Sequence, residues 1–312
     1  MNAHLVALAT VLVWGTTFVS TKVLLVDFAP VEILFARFLM AFAALCVLRP
    51  RMLRLQRRRH EVLFAAAGFT GIMLYYLLEN VALVYTDASK VGVIVTVAPL
   101  FTALIAVALR AERAPKPLFY VGFVLAMAGV VLVSFPDPAA LVGAGSAGSV
   151  AASGGAASDA GSPGILGLGI NLGDVLALAA ALVWAVYSTV IARIAALGYE
   201  TIAVTKRTFA WGLAFMLPVL ALSQPSLDVA RFASAVNIGN LLFLGLIASA
   251  ACFAMWGYAV SRLGAARTSV YIYLTPAITV TASVLVLGEP LTPQIVMGIV
   301  LVVGGLVLSA RS

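Results

Sequence analysis

The side chains of this chain that could do chemistry are aromatic rings, one acid and a few hydroxyls, all set within apolar runs. Trp14, Tyr75, Tyr76, Trp184, Tyr187, Trp256, Tyr271 and Tyr273 lie in otherwise hydrophobic segments. Rings of membrane proteins normally gather where lipid meets water. Trp14, Trp184 and the Tyr271–Tyr273 pair stand several residues inside their segments instead. A buried indole N–H or phenol O–H needs a hydrogen-bond partner. A wet cavity would supply one; ordinary helix packing is the competing reading for any single ring. Glu79 adds a carboxylate, which is costly within lipid and therefore a functional candidate. It could hold a cationic group such as an amine or carry a coupling proton; a salt bridge or exposure to water is the structural alternative. Tyr76, Glu79, Asn80 and Leu83 share one helical face. Thr17, Thr96, Ser188 and Thr275 are small hydroxyl residues that bond across helix contacts in membranes, and Thr96 and Thr275, beside prolines, could also meet a substrate. These fourteen residues, eight of them rings, are the candidate substrate-binding set.

The remaining charged residues read differently. Arg37 and Arg207 lie about seven residues inside their apolar segments. They could bind helix-end carbonyls, a carboxylate or lipid headgroups as structural groups, or serve as a gate or an anion site. Glu112 and Glu289 fall at turns, where they would tie neighbouring helices. Pro99 and Pro276 lie well inside their segments, where a proline frees a carbonyl and bends a helix.

All of these residues need elements that cross a bilayer. The chain has 312 residues, 63% hydrophobic and 10% charged, with a mean hydropathy of +1.12. A soluble domain carries about 25% charged residues, so this chain cannot cover a globular surface with polar groups. Apolar segments fall at roughly 4–25, 31–49, 62–84, 88–109, 117–135, 172–193, 201–222, 237–261, 267–287 and 293–310. Each suits a span of about 20 residues. Backbone groups in lipid must bond internally, so spans are helices or barrel strands. Barrel strands are about 10 residues long and alternate in polarity; these runs do neither, so they are helices. The first run has no basic start and reads as a membrane helix, not a cleaved signal.

The net charge of +7 does not point to nucleic acid. Arg49, Arg51, Arg54, Arg57, Arg58 and Arg59 sit between the second and third runs, where positive charge sets topology. That loop is then cytoplasmic, and alternation puts Arg110, Arg113, Lys116, Arg193, Arg262, Arg267 and Arg311 on the same side, with both termini. Two isolated histidines and two cysteines inside apolar runs offer no metal site and no disulfide. Residues 136–171 are a Gly/Ala/Ser tract lacking Lys and Arg, which reads as a flexible periplasmic linker.

The chain also reads as one pattern written twice. Trp14 and Arg37 recur 170 positions on as Trp184 and Arg207, and Pro99 and Glu112 recur 177 positions on as Pro276 and Glu289. Five spans per copy is an odd number, so the second copy enters the membrane inverted. Inverted repeats are a transporter signature, with substrate held between them near the midplane.

Three stretches carry a family resemblance: Trp14-Gly15-Thr16-Thr17-Phe18 with Lys22, Pro30 and Arg37; Tyr85-Thr86-Asp87-Ala88-Ser89, Ala98-Pro99-Leu100 and Ala111-Glu112-Arg113; and Leu274-Thr275-Pro276 with Leu287-Gly288-Glu289-Pro290-Leu291 and the glycine-rich last segment. Their order and duplication resemble the drug/metabolite transporter superfamily, in particular its ten-helix EamA-type exporters, and the aromatic content is similar to that of the aromatic amino acid exporters among them. The resemblance implies a cavity between the halves, lined by helices 1, 3, 4, 6, 8 and 9.

The expectation is thus an all-α integral membrane protein of ten transmembrane helices in two inverted five-helix repeats, 1–135 and 172–312, joined by the 136–171 linker. It would be multi-pass in a bacterial inner membrane and would export a small hydrophobic or amphipathic metabolite, an amino acid or drug, by alternating access. It is read as a monomer, with a small-molecule substrate and the lipid bilayer as partners, no nucleic acid and no cofactor. A passive channel or facilitator is the alternative, and a membrane-embedded enzyme a more distant one. No phosphate loop is present for ATP drive.

Overall fold

The structure, a computed structural model, describes residues 2–51, 53–109, 116–135, 171–223, 225, 228–263, 268 and 270–311. Arg110, Glu112, Arg113, Arg267 and the 136–170 part of the linker lie outside them. The described residues contain helices and connections but no strand. Helix α1 is Ala3–Leu24, α2 Pro30–Leu48, α3 Arg58–Tyr85, α4 Ala88–Ala108, α5 Pro117–Ser134 and α6 Leu172–Ala195. Helix α7 is Thr201–Leu222, α8 Ala235–Val260, α9 Thr275–Leu287 and α10 Pro293–Ala310. Eight helices, α1 to α6 with α8 and α10, are long and apolar enough to cross a membrane. The other two expected spans fall on α7, whose hydropathy Lys206 and Arg207 lower, and on the shorter apolar helix α9.

The helix starts follow from their caps. Asn2 and Asn171 accept backbone N–H groups at the heads of α1 and α6. Thr292 does the same for α10, ahead of Pro293, since a first-turn proline gives up an N–H that has no helical partner anyway.

Four helices are irregular where the site is built. A π-helical stretch, Gly68–Leu74, interrupts α3, and another, Phe243–Ala251, interrupts α8. Helix α4 pauses at a turn over Thr96 and Val97 and restarts at Ala98. A 3-10 turn, Val270–Leu274, leads into α9. Pro99 and Pro276 therefore stand in the first turn of a helical segment, not inside a continuous helix as the unbroken apolar runs suggest. The physical reason is that proline is tolerated at a first turn and clashes in a helix interior. The chain breaks the helix just ahead of each proline and so avoids a strained kink.

Helix α5 lies along α10. A Cβ on Gly122 would stand 2.5 Å from the Gly305 carbonyl oxygen, so the two backbones touch as small-residue membrane contacts do. The main apolar core joins α1, α3, α4 and α6 through Phe18, Leu83, Val91, Ile94 and Ala181. A second core packs Phe38 of α2 against Phe209 of α7, beside Tyr75 and Tyr76.

At one end of the bundle the Glu289 carboxylate accepts from the Ala88 and Ser89 N–H groups at 2.8 and 3.0 Å, capping α4 from another part of the chain. Lys22 there donates to the Leu83 and Thr86 carbonyls at 2.6 and 2.7 Å. At the other end Lys206 donates to the Arg49 and Arg51 carbonyls at 2.5 and 2.9 Å.

Candidate functional site

A cavity of about 90 Å³ lies among α1, α3, α4, α6 and the lead into α9. Its walls include Trp14, Thr17, Tyr75, Tyr76, Glu79, Thr96, Pro99, Trp184 and Thr275, all candidates from the sequence. Phe18, Gly92, Val95, Ala98 and Ile272 complete it; nothing in the sequence separates those apolar residues from lipid-facing ones. Trp14 and Trp184 are near the middle of their helices.

The irregular helices position these groups. The π-helical stretch of α8 presents the Ala248 carbonyl to the Trp14 indole N–H at 3.0 Å and the Ser249 hydroxyl to Arg37 Nε at 2.9 Å. The partner of the Trp14 N–H is thus backbone, not cavity water. The turn in α4 turns Thr96 back onto the Gly92 carbonyl at 2.7 Å. Thr279 of α9 donates to the Gly15 carbonyl at 2.7 Å and packs so tightly on α4 that a Cβ on Gly92 would fall 2.5 Å from its methyl group. Helices α1, α4 and α9 therefore close on one another beside the cavity.

The rings form a chain. Tyr75 lies 4.6 Å from Trp184 and 4.7 Å from Tyr76, centroid to centroid. Tyr187 lies tilted against Trp184 at 4.9 Å. Aromatic pairs at such spacing add about 0.5–1.5 kcal/mol each beyond burial, which holds the wall rigid.

Glu79 is 1% exposed, and its Oε1 has no hydrogen-bond partner. Arg37 is also 1% exposed, with Nη1 unpartnered. Its guanidinium lies over the Tyr76 ring, 4.5 Å from Cζ to the centroid. Arg37 and Glu79 make no ion-pair contact. Each orphaned buried polar atom costs about 1–3 kcal/mol, a cost that a bound group could relieve.

The other sequence candidates are elsewhere. Asn80 is buried and donates to the Pro30 carbonyl at 3.1 Å. Tyr187 packs on Gly71 of the α3 π-helical stretch. Ser188 bonds back to the Trp184 carbonyl at 2.8 Å. Trp256 lies tilted against Trp14 at 5.2 Å. Tyr271 bonds His4 at 2.7 Å, and Tyr273 packs against the main core. Each of these five side chains besides Asn80 supports the wall or an end of the bundle and does not line the cavity. Arg207 binds Glu61 in a two-pronged ion pair and donates to the Leu53 carbonyl at 3.0 Å. Trp211 donates to the same carboxylate at 2.5 Å. Between spans, Asp87 sits at the α4 head beside Glu289. Burial first, and the Glu289 charge second, hold its carboxyl above the ordinary range, against the pull of Lys90 and Lys22.

A bundle of apolar helices around a polar-tipped aromatic cavity defines a multi-pass membrane protein of the transporter kind. The sequence model of the EamA-like transporter family matches residues 1–135 and 171–311, and the chain belongs to that family. An uncharacterized transporter of Archaeoglobus fulgidus is 26% identical over 92% of this chain and 90% of its own. A protein of Streptantibioticus cattleyicolor named a probable terminal-alkyne amino-acid exporter is 27% identical over 97% of this chain and 91% of its own. One solved crystal structure shares the fold, with a TM-score of 0.63 at 19% identity over 98% of this chain and 95% of that one. Both of these sequence relatives are named as a transporter or an exporter.

Proposed function

We propose that this chain is a secondary transporter that exports a small hydrophobic or amphipathic metabolite through the ring-lined cavity by alternating access. The observation that carries the reading is the cavity itself: aromatic walls around a buried carboxylate with an unfilled oxygen. The rings take the apolar body of the solute, and Glu79 takes its ammonium group or a coupling proton. The name of the Streptantibioticus cattleyicolor relative favours an amino acid as the solute.

The chain works as ten transmembrane helices in two inverted repeats, 1–135 and 172–312, with 136–171 as a periplasmic linker. It sits in a bacterial inner membrane with both termini cytoplasmic. Two pairs of irregularities support this arrangement. The third helix of each proposed repeat, α3 and α8, carries a π-helical stretch, and the fourth, α4 and α9, breaks ahead of a proline. Helices so interrupted at matching places are the expected surroundings of a midplane site and the expected places for rocking motion.

Counter-flow of purified protein in liposomes tests the reading. Saturable uptake stimulated by internal unlabelled solute is expected across a panel of amino acids, drugs and nucleobases, and Trp184→Ala should lower its rate tenfold or more. Non-saturable flux would establish the passive facilitator instead. If Glu79→Gln keeps an unchanged pH profile, Glu79 carries no proton.

A further inference from the structure

The connection between α2 and α3 is tied down by its backbone and leaves its charges free. Lys206 of α7 donates to the Arg49 and Arg51 carbonyls at 2.5 and 2.9 Å, and Arg207 donates to the Leu53 carbonyl at 3.0 Å. The Tyr199 hydroxyl accepts from the Gln56 N–H at 2.9 Å and bonds the His60 ring at 2.8 Å. Leu53 and Leu55 pack into one apolar cluster with Phe64 and Tyr199. Surface loops are ordinarily more mobile than the elements they join; this one is strapped to α7 and to the turn before it.

Positive charge collects on the same strap. Arg51, Arg54, Arg57, Arg58 and Arg59 are exposed, as is Arg193 near the end of α6, and none of these forms an ion pair. Glu61 and Glu200, the acids that this end presents among the described residues, are both taken. Glu61 pairs with Arg207, and Glu200 with Arg49 at 2.9 Å. Arginines gathered this closely repel one another, and their guanidinium forks match phosphate oxygens. The flanks of the strap are apolar: Val47 and Leu48 at the end of α2 and Val62 at the start of α3 are 80%, 73% and 70% exposed. A phosphate with hydrocarbon beside it fits that surface better than a free phosphate does.

We propose that this strap is a docking surface for the phosphate headgroups of anionic lipids, bound by Arg54, Arg57, Arg58 and Arg59. A cluster of arginines next to a membrane span attracts such lipids. Here the backbone is already ordered, so binding does not have to fix a flexible loop. The inference does not depend on what occupies the cavity.

The test uses purified full-length protein in a neutral detergent, titrated with phosphatidylglycerol, phosphatidylcholine or glycerol phosphate, with the thermal unfolding midpoint as the readout. Phosphatidylglycerol is expected to reach half its effect at a concentration about tenfold below that of phosphatidylcholine. Glycerol phosphate should do nothing over that range. With Arg54→Gln, Arg57→Gln, Arg58→Gln and Arg59→Gln combined, the two lipids should act alike. Tyr199→Phe keeps every arginine but releases the strap, and should lower the preference about threefold. Since the preference is a ratio within one variant, lower stability alone does not imitate these results. If the four-site variant does not fold, high salt on the wild type replaces it, because screening should remove the preference. Equal action of the two lipids on the wild type overturns the inference. So does a preference that survives the four substitutions or high salt. An unchanged preference in Tyr199→Phe reduces the strap to a net-charge effect and overturns it too, and an equal action of glycerol phosphate replaces lipid docking with a free-phosphate site.

Discussion

Arg37 and Arg207 occupy matching places in the two halves of the sequence, 170 positions apart, and end in opposite electrostatic situations. Arg207, at one end of the bundle, is answered in full: both prongs of its guanidinium meet Glu61, a third N–H meets the Leu53 carbonyl, and Trp211 secures the same acid. Arg37, beside the cavity, has a hydroxyl, a ring face and an empty position. A bidentate carboxylate partner is the strong form of arginine recognition, so Arg207 reads as a fixed strut. A buried guanidinium held by weaker, neutral groups has charge to spare. The pair teaches that duplication passes on the residue type but not the job. What surrounds each copy decides whether its charge stabilises the bundle or waits for something else.

The largest effect expected from this contrast is at the strut. Glu61→Gln leaves the Arg207 fork and the Trp211 N–H with a neutral acceptor, and should lower unfolding stability in detergent by about 2–3 kcal/mol. A loss of less than about 1 kcal/mol there would erase the distinction between the two arginines. The converse change should be mild. Arg37→Met keeps the length and removes a charge with no acid in contact, so stability should stay within about 1 kcal/mol of wild type; thermal unfolding of the two variants side by side reads the contrast. The smallest effect lies at the α4 head, where Glu289 already fills the backbone cap and Asp87 is held protonated more readily than usual. An acid whose folded pKa is raised costs stability once pH exceeds its unfolded value, and costs nothing when both states are protonated. Asp87→Asn should therefore raise stability at neutral pH by less than about 1 kcal/mol, and the gain should vanish as pH falls below the ordinary carboxylate range.

The helices were legible in the sequence because runs of apolar residues that long have one physical solution in lipid. The rings Trp14 and Trp184 were legible because they stand away from the interfaces that explain most membrane aromatics, and Glu79 because a carboxylate in a span demands a reason. What could not be read lies in long-range partners. Arg207 meets an acid 146 residues away and Arg37 a hydroxyl 212 residues away, and no local pattern separates them. Tyr271 looked like a cavity ring until His4, 267 residues off, took its hydroxyl. Phe18, Val95 and Ile272 line the cavity but carry no mark, since an apolar side chain facing solute and one facing lipid have the same chemistry. The breaks ahead of Pro99 and Pro276 were hidden because apolar residues run on through both turns.

The central claim is that solute occupies the space between Trp14, Trp184 and Glu79. Substrate protection of single cysteines tests it most directly. In a Cys46→Ser/Cys252→Ala background, Thr96→Cys and Thr275→Cys place thiols on the cavity wall, and Ser223→Cys places one at an exposed helix end. A saturating transported solute should slow maleimide labelling of the two wall thiols several-fold and leave the third unchanged. Labelling of Thr96→Cys and Thr275→Cys that ignores a solute still undergoing counter-flow would contradict the account.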